Sequence, residues 1–185
     1  MDRQLYSMFY PNRFLEICHD FIIFDKGKKK TCRHNQYFGV REAEFRIQQN
    51  KGGIIWHTQG SGKSLTMVWL TKWILENYSD GRVLIITDRE ELDDQIEKVF
   101  LGVEEKNIKR TKSCRDLLDK LNEQRHRIVC SLIHKFGKKN KNQDDVDYEQ
   151  TYDNFLKELK AYMPDNFSPK GRIFVFVDEC HRTQS

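Results

Sequence analysis

Gly53-Ile-Ile-Trp-His-Thr-Gln-Gly-Ser-Gly-Lys-Ser64 joins a short apolar run to a segment of helix-forming composition, and its reading decides the fold. A glycine-rich turn between a strand and a helix aims several backbone N–H groups, with the positive end of the helix dipole, into one small space. A polyphosphate fits that space. Gly60 and Gly62 permit the close backbone approach, Lys63 reaches the outer phosphates and the Ser64 hydroxyl ligates Mg²⁺. Thr58, Gln59 and Ser61 complete the loop, so every residue from Thr58 to Ser64 is a candidate nucleotide contact. The common form of this loop opens with Gly, where this chain has His57.

The second half of such a site stands far downstream. Arg172-Ile-Phe-Val-Phe-Val-Asp-Glu-Cys-His181 is a strand of buried type ending in paired carboxylates. Phosphoryl transfer depends mainly on positioning and charge neutralisation, so the two acids take different tasks. Asp178 holds Mg²⁺ through water, and Glu179 orients and deprotonates the attacking water. His181, two residues further, lies near enough to feel the phosphate while bonding outward. Alone, an Asp-Glu pair is a solvated strand end; after a phosphate loop it is read as catalytic.

The 185 residues are 38% hydrophobic and 32% charged, which suits one domain with a real core and appended segments. No apolar stretch approaches the roughly 20 residues that span a bilayer, and Met1-Asp-Arg-Gln4 lacks the apolar region of a signal peptide. The expected location is cytoplasmic, with no membrane association. Cys18, Cys32, Cys114, Cys130 and Cys180 form no C-x-x-C pair, so neither a disulfide framework nor a zinc site is indicated. A net charge of +4 does not by itself point to nucleic acid.

Strands and helices alternate along the chain. An amphipathic segment from Asn12 to Asp20 leads into a short strand, Phe21 to Phe24, and a basic turn from Asp25 to Lys30. Positions Tyr37, Val40, Glu44 and Ile47 keep helical period until Lys51-Gly-Gly53 stops them. Ile54 to Trp56 is expected as the first core strand, followed by a helix over Ser64–Tyr78 and a second strand over Arg82–Thr87. Helices over Glu90–Phe100 and Ser113–Glu123 precede a strand at Arg127–Ile133. Residues 137–150 are polar and read as a mobile loop, and 152–163 as a helix. Apolar strands separated by helices predict an α/β fold whose parallel sheet is sandwiched by helices.

These motifs together resemble the motor subunit of type I restriction enzymes, a superfamily 2 DNA translocase with RecA-like lobes. Trp56 to Met67 is similar to the family's first motif, whose usual His accounts for the absent leading Gly. Ile86 to Gln95 is similar to the next, which lies near the DNA strand; Ser131 to Gly137 and Asp178 to Gln184 are similar to the following motif and the acidic box. The resemblance implies ATP and Mg²⁺ as cofactors and double-stranded DNA as partner, with Arg89, His134, Lys135 and His181 contacting DNA or coupling to it. It places Gln36, in His34-Asn-Gln-Tyr-Phe38, where related motors read the adenine edge. It also implies methylation and specificity subunits as partners, the latter choosing the DNA site.

On this resemblance residues 1–34 are a linker or docking segment from an absent nuclease domain, and 35–185 a partial N-terminal RecA-like ATP-binding lobe, truncated after the acidic box. The family's nuclease motif needs a metal-binding Asp followed by Glu-x-Lys. Glu158-Leu-Lys160, one match to Glu-x-Lys here, follows the phosphate loop and reads as helix surface. The parent protein is expected to be an ATP-dependent site-specific deoxyribonuclease that translocates and cuts unmodified DNA, and the chain alone to be inactive. Two other readings are a small-molecule kinase with a phosphate loop, which has no use for Asp178 to Gln184, and a non-catalytic docking module.

Overall fold

The computed structural model describes residues 3–25, 27–58, 60–87, 96–101, 108–123, 125–132, 161, 163 and 167–178. The chain divides into two compact units, Met1–Asn77 with Lys98–Lys106, and Tyr78–Glu97 with Asn107–Ser185.

In the first unit, α1 (Arg3–Met8) and α2 (Pro11–Asp20) lead into an antiparallel hairpin of β1 (Ile22–Asp25) and β2 (Lys28–Thr31), then α3 (His34–Gln48) and α4 (Lys63–Asn77). Pro11 stands at the start of α2, where its missing N–H removes no helical bond. Asp25 pairs with Lys28, so the hairpin turns in two residues, and Gly27 supplies the positive φ of 76°. The basic run expected as a turn is therefore mostly a strand. Its lysines tolerate pairing because a two-stranded ribbon leaves them at the solvent-facing edge.

Buried positions 36, 37, 40 and 44 form one stripe of α3, and α4 buries Thr66, Val68, Trp69, Leu70, Thr71 and Ile74. Aromatic rings knit these helices to Phe21, the residue that ends α2 just before the hairpin. Phe21 lies 5.1 Å from Tyr37 and 6.0 Å from Trp69 between ring centroids. Burying rings of this size stabilises by about 2 kcal/mol each.

One expected element is absent. Residues 51–58 carry no strand, and Ile54, Ile55 and Trp56 are 70%, 39% and 81% exposed. A three-residue apolar run becomes a strand only when a neighbour supplies a ladder, and among the described residues none pairs with it. Strand propensity alone does not order it.

The second unit holds β3 (Gly81–Thr87), β4 (Ile108–Arg110), α5 (Cys114–Asn122), β5 (Ile128–Leu132) and β6 (Arg172–Val177). Among the described residues its four strands run parallel in the order β4-β5-β3-β6, the arrangement of a partial RecA-like α/β domain. Leu117 of α5 packs on Leu84 and Val129, with Ile86, Leu121 and Ile173 around them. Ser113 caps α5 by accepting the Asp116 N–H at 3.2 Å. β3 and β5 are buried nearly throughout, whereas β6 leaves Val175 and Val177 about half exposed. The three-residue β4 carries no sequence period long enough to announce it. Of the helix expected over Glu90–Phe100, residues 96–101 are described and helical; residues 137–150, and most of 152–163, lie outside the described residues.

Arg82, at the start of β3, is buried and ties the amino-terminal edge of this sheet together. Its guanidinium donates to the carbonyls of Leu121 at 2.7 Å, His126 at 3.0 Å, Lys170 at 3.1 Å, and Lys120. These include carbonyls at the end of α5 that have no partner within the helix. Arg82→Met is expected to destabilise the chain by about 2–4 kcal/mol, because several carbonyls lose a charged donor at once. Urea denaturation followed by circular dichroism measures it, and an unchanged midpoint would remove Arg82 from this role.

Candidate nucleotide site

The loop before α4 is built by two glycines in backbone conformations that other residues adopt at a strain. Gly60 has φ 75° and Gly62 φ 87°. Ser61, between them, is buried; its N–H and its hydroxyl both donate to the Thr58 carbonyl, at 3.2 and 2.6 Å. Lys63 is the first residue of α4, with Ser64 behind it, and both side chains are half-buried. The first turn of α4 itself carries no acidic side chain to oppose the positive end of its dipole. A Cβ at Gly60 would meet no atom within 4 Å, so that side of the turn is open. A turn of this shape, opening on a helix start with a lysine and a hydroxyl, suits a phosphate chain carrying Mg²⁺.

The Gly62 carbonyl is the joint between loop and helix. It accepts the N–H groups of Leu65 at 3.0 Å and Thr66 at 3.2 Å, and the Thr66 hydroxyl at 3.4 Å. It also accepts the Gln36 side-chain N–H at 3.0 Å, across 26 residues of sequence. Gln36 is 2% exposed, and its oxygen accepts the Arg33 N–H at 2.8 Å, which helps cap the start of α3. The structure thus brings together Gln36, Thr58 and Gly60 to Ser64.

Asp178, in the second unit, follows β6 at the carboxyl end of the sheet, and its N–H bonds the Ile86 carbonyl at 2.9 Å. In parallel α/β sheets that end carries the ligand loops. Gln59, Arg89, His134, Lys135, Glu179 and His181 lie outside the described residues.

Two features of α3 escaped the sequence reading. The first is the seat of His57, whose ring lies over Gly39: a Cβ there would be 3.3 Å from its Nε2 and 3.6 Å from Ile55 Cγ2. Only the odd glycine inside a helical period hinted at it. The second is Glu44, a carboxylate on the buried stripe, which the periodicity counted among core positions. It accepts an Arg41 N–H at 2.6 Å, and its neighbourhood includes His19 and Asp20 of α2 and Lys72 and Glu76 of α4. Burial pushes its carboxyl up to about 7, against the opposing pull of Arg41.

A family model described as SWI2/SNF2 ATPase matches residues 35–185. The chain is also similar to endonuclease subunits named for type I restriction enzymes. It is 29% identical to one from Methanocaldococcus jannaschii over 99% of this chain and 17% of that protein. A second from the same organism is 34% identical over 64% of this chain and 13% of that protein. The HindI subunit of Haemophilus influenzae is 28% identical over 97% of this chain and 17% of that protein. The chain thus spans at most 17% of the length of these relatives. Among the described residues no helix is long and apolar enough to cross a membrane.

Glu44 gives the first unit a pH dependence of definite sign. Its folded pKa, about 7, lies above the ordinary 4.5, so the folded chain holds the proton more tightly. The resulting stability is fully present below about pH 4.5, falls as pH rises toward 7, and is gone above it. Glu44→Gln removes this slope, so its advantage over wild type grows between pH 4.5 and 7.5 by on the order of 2 kcal/mol. All three tryptophans, Trp56, Trp69 and Trp73, belong to this unit and report its unfolding in urea. Parallel pH profiles for the two proteins would show that Glu44 is ionised in the folded state.

Proposed function

Because this chain belongs to the SWI2/SNF2 ATPase family, we propose that it is the ATP-binding lobe of a DNA-translocating endonuclease subunit of a type I restriction enzyme. The observation that carries the reading is the turn at Gly60 and Gly62 running directly into the start of α4, with Lys63 at the first helical position and no acid in the first turn. In this reading the loop amides cradle the phosphates, Lys63 neutralises the outer ones, and base type matters less than phosphate charge.

Mg²⁺ suits the hard oxygens of the Ser64 hydroxyl and the Asp178 carboxylate, and when bound it neutralises phosphate charge. Glu179 is the proposed base for the attacking water. Thr58, Gln59 and Ser61 are further proposed nucleotide contacts. Arg89, His134, Lys135 and His181 are the proposed contacts or couplings to duplex DNA, since they follow strands at the sheet's carboxyl end. Methylation and specificity subunits are the proposed partners, and translocation and cleavage belong to the whole protein. Residues 1–34 are the proposed docking segment for a nuclease domain. Exposed Tyr6, Phe9, Tyr10, Phe14 and Leu15 in that segment support it, because a clustered apolar surface usually meets another surface.

Calorimetric titration of the chain with Mg·ATP tests the nucleotide reading. We expect weak binding, with Mg·ADP comparable, and a loss of at least tenfold in affinity for Lys63→Ala. Equal heats from wild type and Lys63→Ala would reject the site. Binding of duplex DNA, measured by anisotropy, is expected to be weak and steeply salt-dependent, as phosphate contacts dictate.

A further inference from the structure

We propose that Gln36 and Gly39 of α3 are positioning residues that hold the phosphate loop in its ligand-ready shape, Gln36 through the Gly62 carbonyl and Gly39 by leaving room for His57. This rests on reading residues 57–64 as a triphosphate loop.

Gln36 has no latitude in how its amide is oriented. The Arg33 N–H at 2.8 Å requires an acceptor, and the Gly62 carbonyl at 3.0 Å requires a donor. Flipping the amide would set donor against donor and oxygen against oxygen. With its oxygen accepting from the helix start and one N–H donating to the loop, the buried side chain is oriented by protein partners at both ends. Its grip is close, since a Cβ at Gly62 would collide with Gln36 Nε2.

Gly39 lies three residues on, on the same helical face. A glycine within a helix costs about 1 kcal/mol relative to alanine, and Gly39 is not among the glycines with positive φ, so backbone conformation does not require it. Closeness to His57 is the remaining reason: an alanine methyl would sit 3.3 Å from its Nε2, so the ring would have to shift by a few tenths of an ångström, while Ile55 at 3.6 Å would be in ordinary contact. The loop is thus laid on one face of α3 and held at two points, His57 at its start and Gly62 at its end. Phosphate binding by backbone amides depends on their placement to a fraction of an ångström, so both holds set affinity for the phosphate chain and neither senses the base.

The test compares Mg·ATP, Mg·GTP and magnesium tripolyphosphate, titrated calorimetrically into wild type, Gln36→Met, Gly39→Ala and Lys63→Ala, with thermal midpoints measured alongside. Gln36→Met should weaken all three ligands by a similar factor, roughly three- to tenfold, the worth of one hydrogen bond. Gly39→Ala should also weaken all three, while its unfolding midpoint stays at or above wild type because alanine favours the helix. Gln36→Leu, which removes the same bonds without burying a charge, is the second variant should Gln36→Met unfold, and it too should lose tripolyphosphate.

Loss of ATP affinity alone in Gln36→Met, with GTP and tripolyphosphate unchanged, would assign Gln36 to base reading and overturn the proposal. So would unchanged affinities in Gly39→Ala. If Lys63→Ala loses binding while the α3 variants do not, the brace is wrong and the nucleotide site stands. If wild type and Lys63→Ala bind alike, the site itself falls, and the brace with it.

Discussion

The carbonyl of Gly62 is the point on which the candidate site turns. One oxygen starts α4 by accepting Leu65 and Thr66, and the same oxygen fastens the loop to Gln36 of a helix 26 residues away in sequence. Two constraints then make the residue glycine: φ of 87°, and the lack of room for a side chain beside Gln36. The direction of α4, and with it the aim of the amides at its start, follows from how this carbonyl is held. An ordinary residue here would shift the helix start or break the brace.

The second unit depends on a comparable economy at its other edge. β3 from Val83 to Ile86 and β5 from Ile128 to Cys130 are apolar and pack without further instruction, but parallel strands leave connecting segments whose carbonyls must find donors. Arg82 supplies several from one side chain. Gly171, φ 77°, lets the chain enter β6 with the Arg172 N–H on the Asp80 carbonyl at 3.0 Å, where a side chain would collide with that same carbonyl. Together these set the register that brings Asp178 beside the end of β3.

How much of this was legible follows from the range of each interaction. The glycine turn running into α4 was legible because its glycines, lysine and serine lie within one turn, and β3, β5 and β6 because a parallel strand reads as a largely apolar run. Helices α3 and α4 followed from period and stop signals. The strand expected at Ile54 to Trp56 fails because a strand is a relation between two segments, and the partner cannot be read from three residues. Lys28 to Thr31 is hidden by its charge, though Gly27 two positions after Asp25 was a hairpin signal. The Gln36–Gly62 bond and the seat of His57 on Gly39 are long-range, and no local pattern encodes them.

That last contact concentrates two local penalties. Gly39 weakens α3 by about 1 kcal/mol relative to alanine, and His57 Nδ1 is buried with no hydrogen-bond partner among the described residues, a state that typically costs 1–3 kcal/mol. A fold selected for stability alone has inexpensive remedies for both, an alanine in the helix and a smaller residue at the loop's start. Their coincidence at one of the two places where α3 meets the loop, the other being Gln36 on the Gly62 carbonyl, argues that the contact is retained for what the loop must do. Its cost is carried by the buried aromatic packing of Phe21, Tyr37 and Trp69 in the same unit.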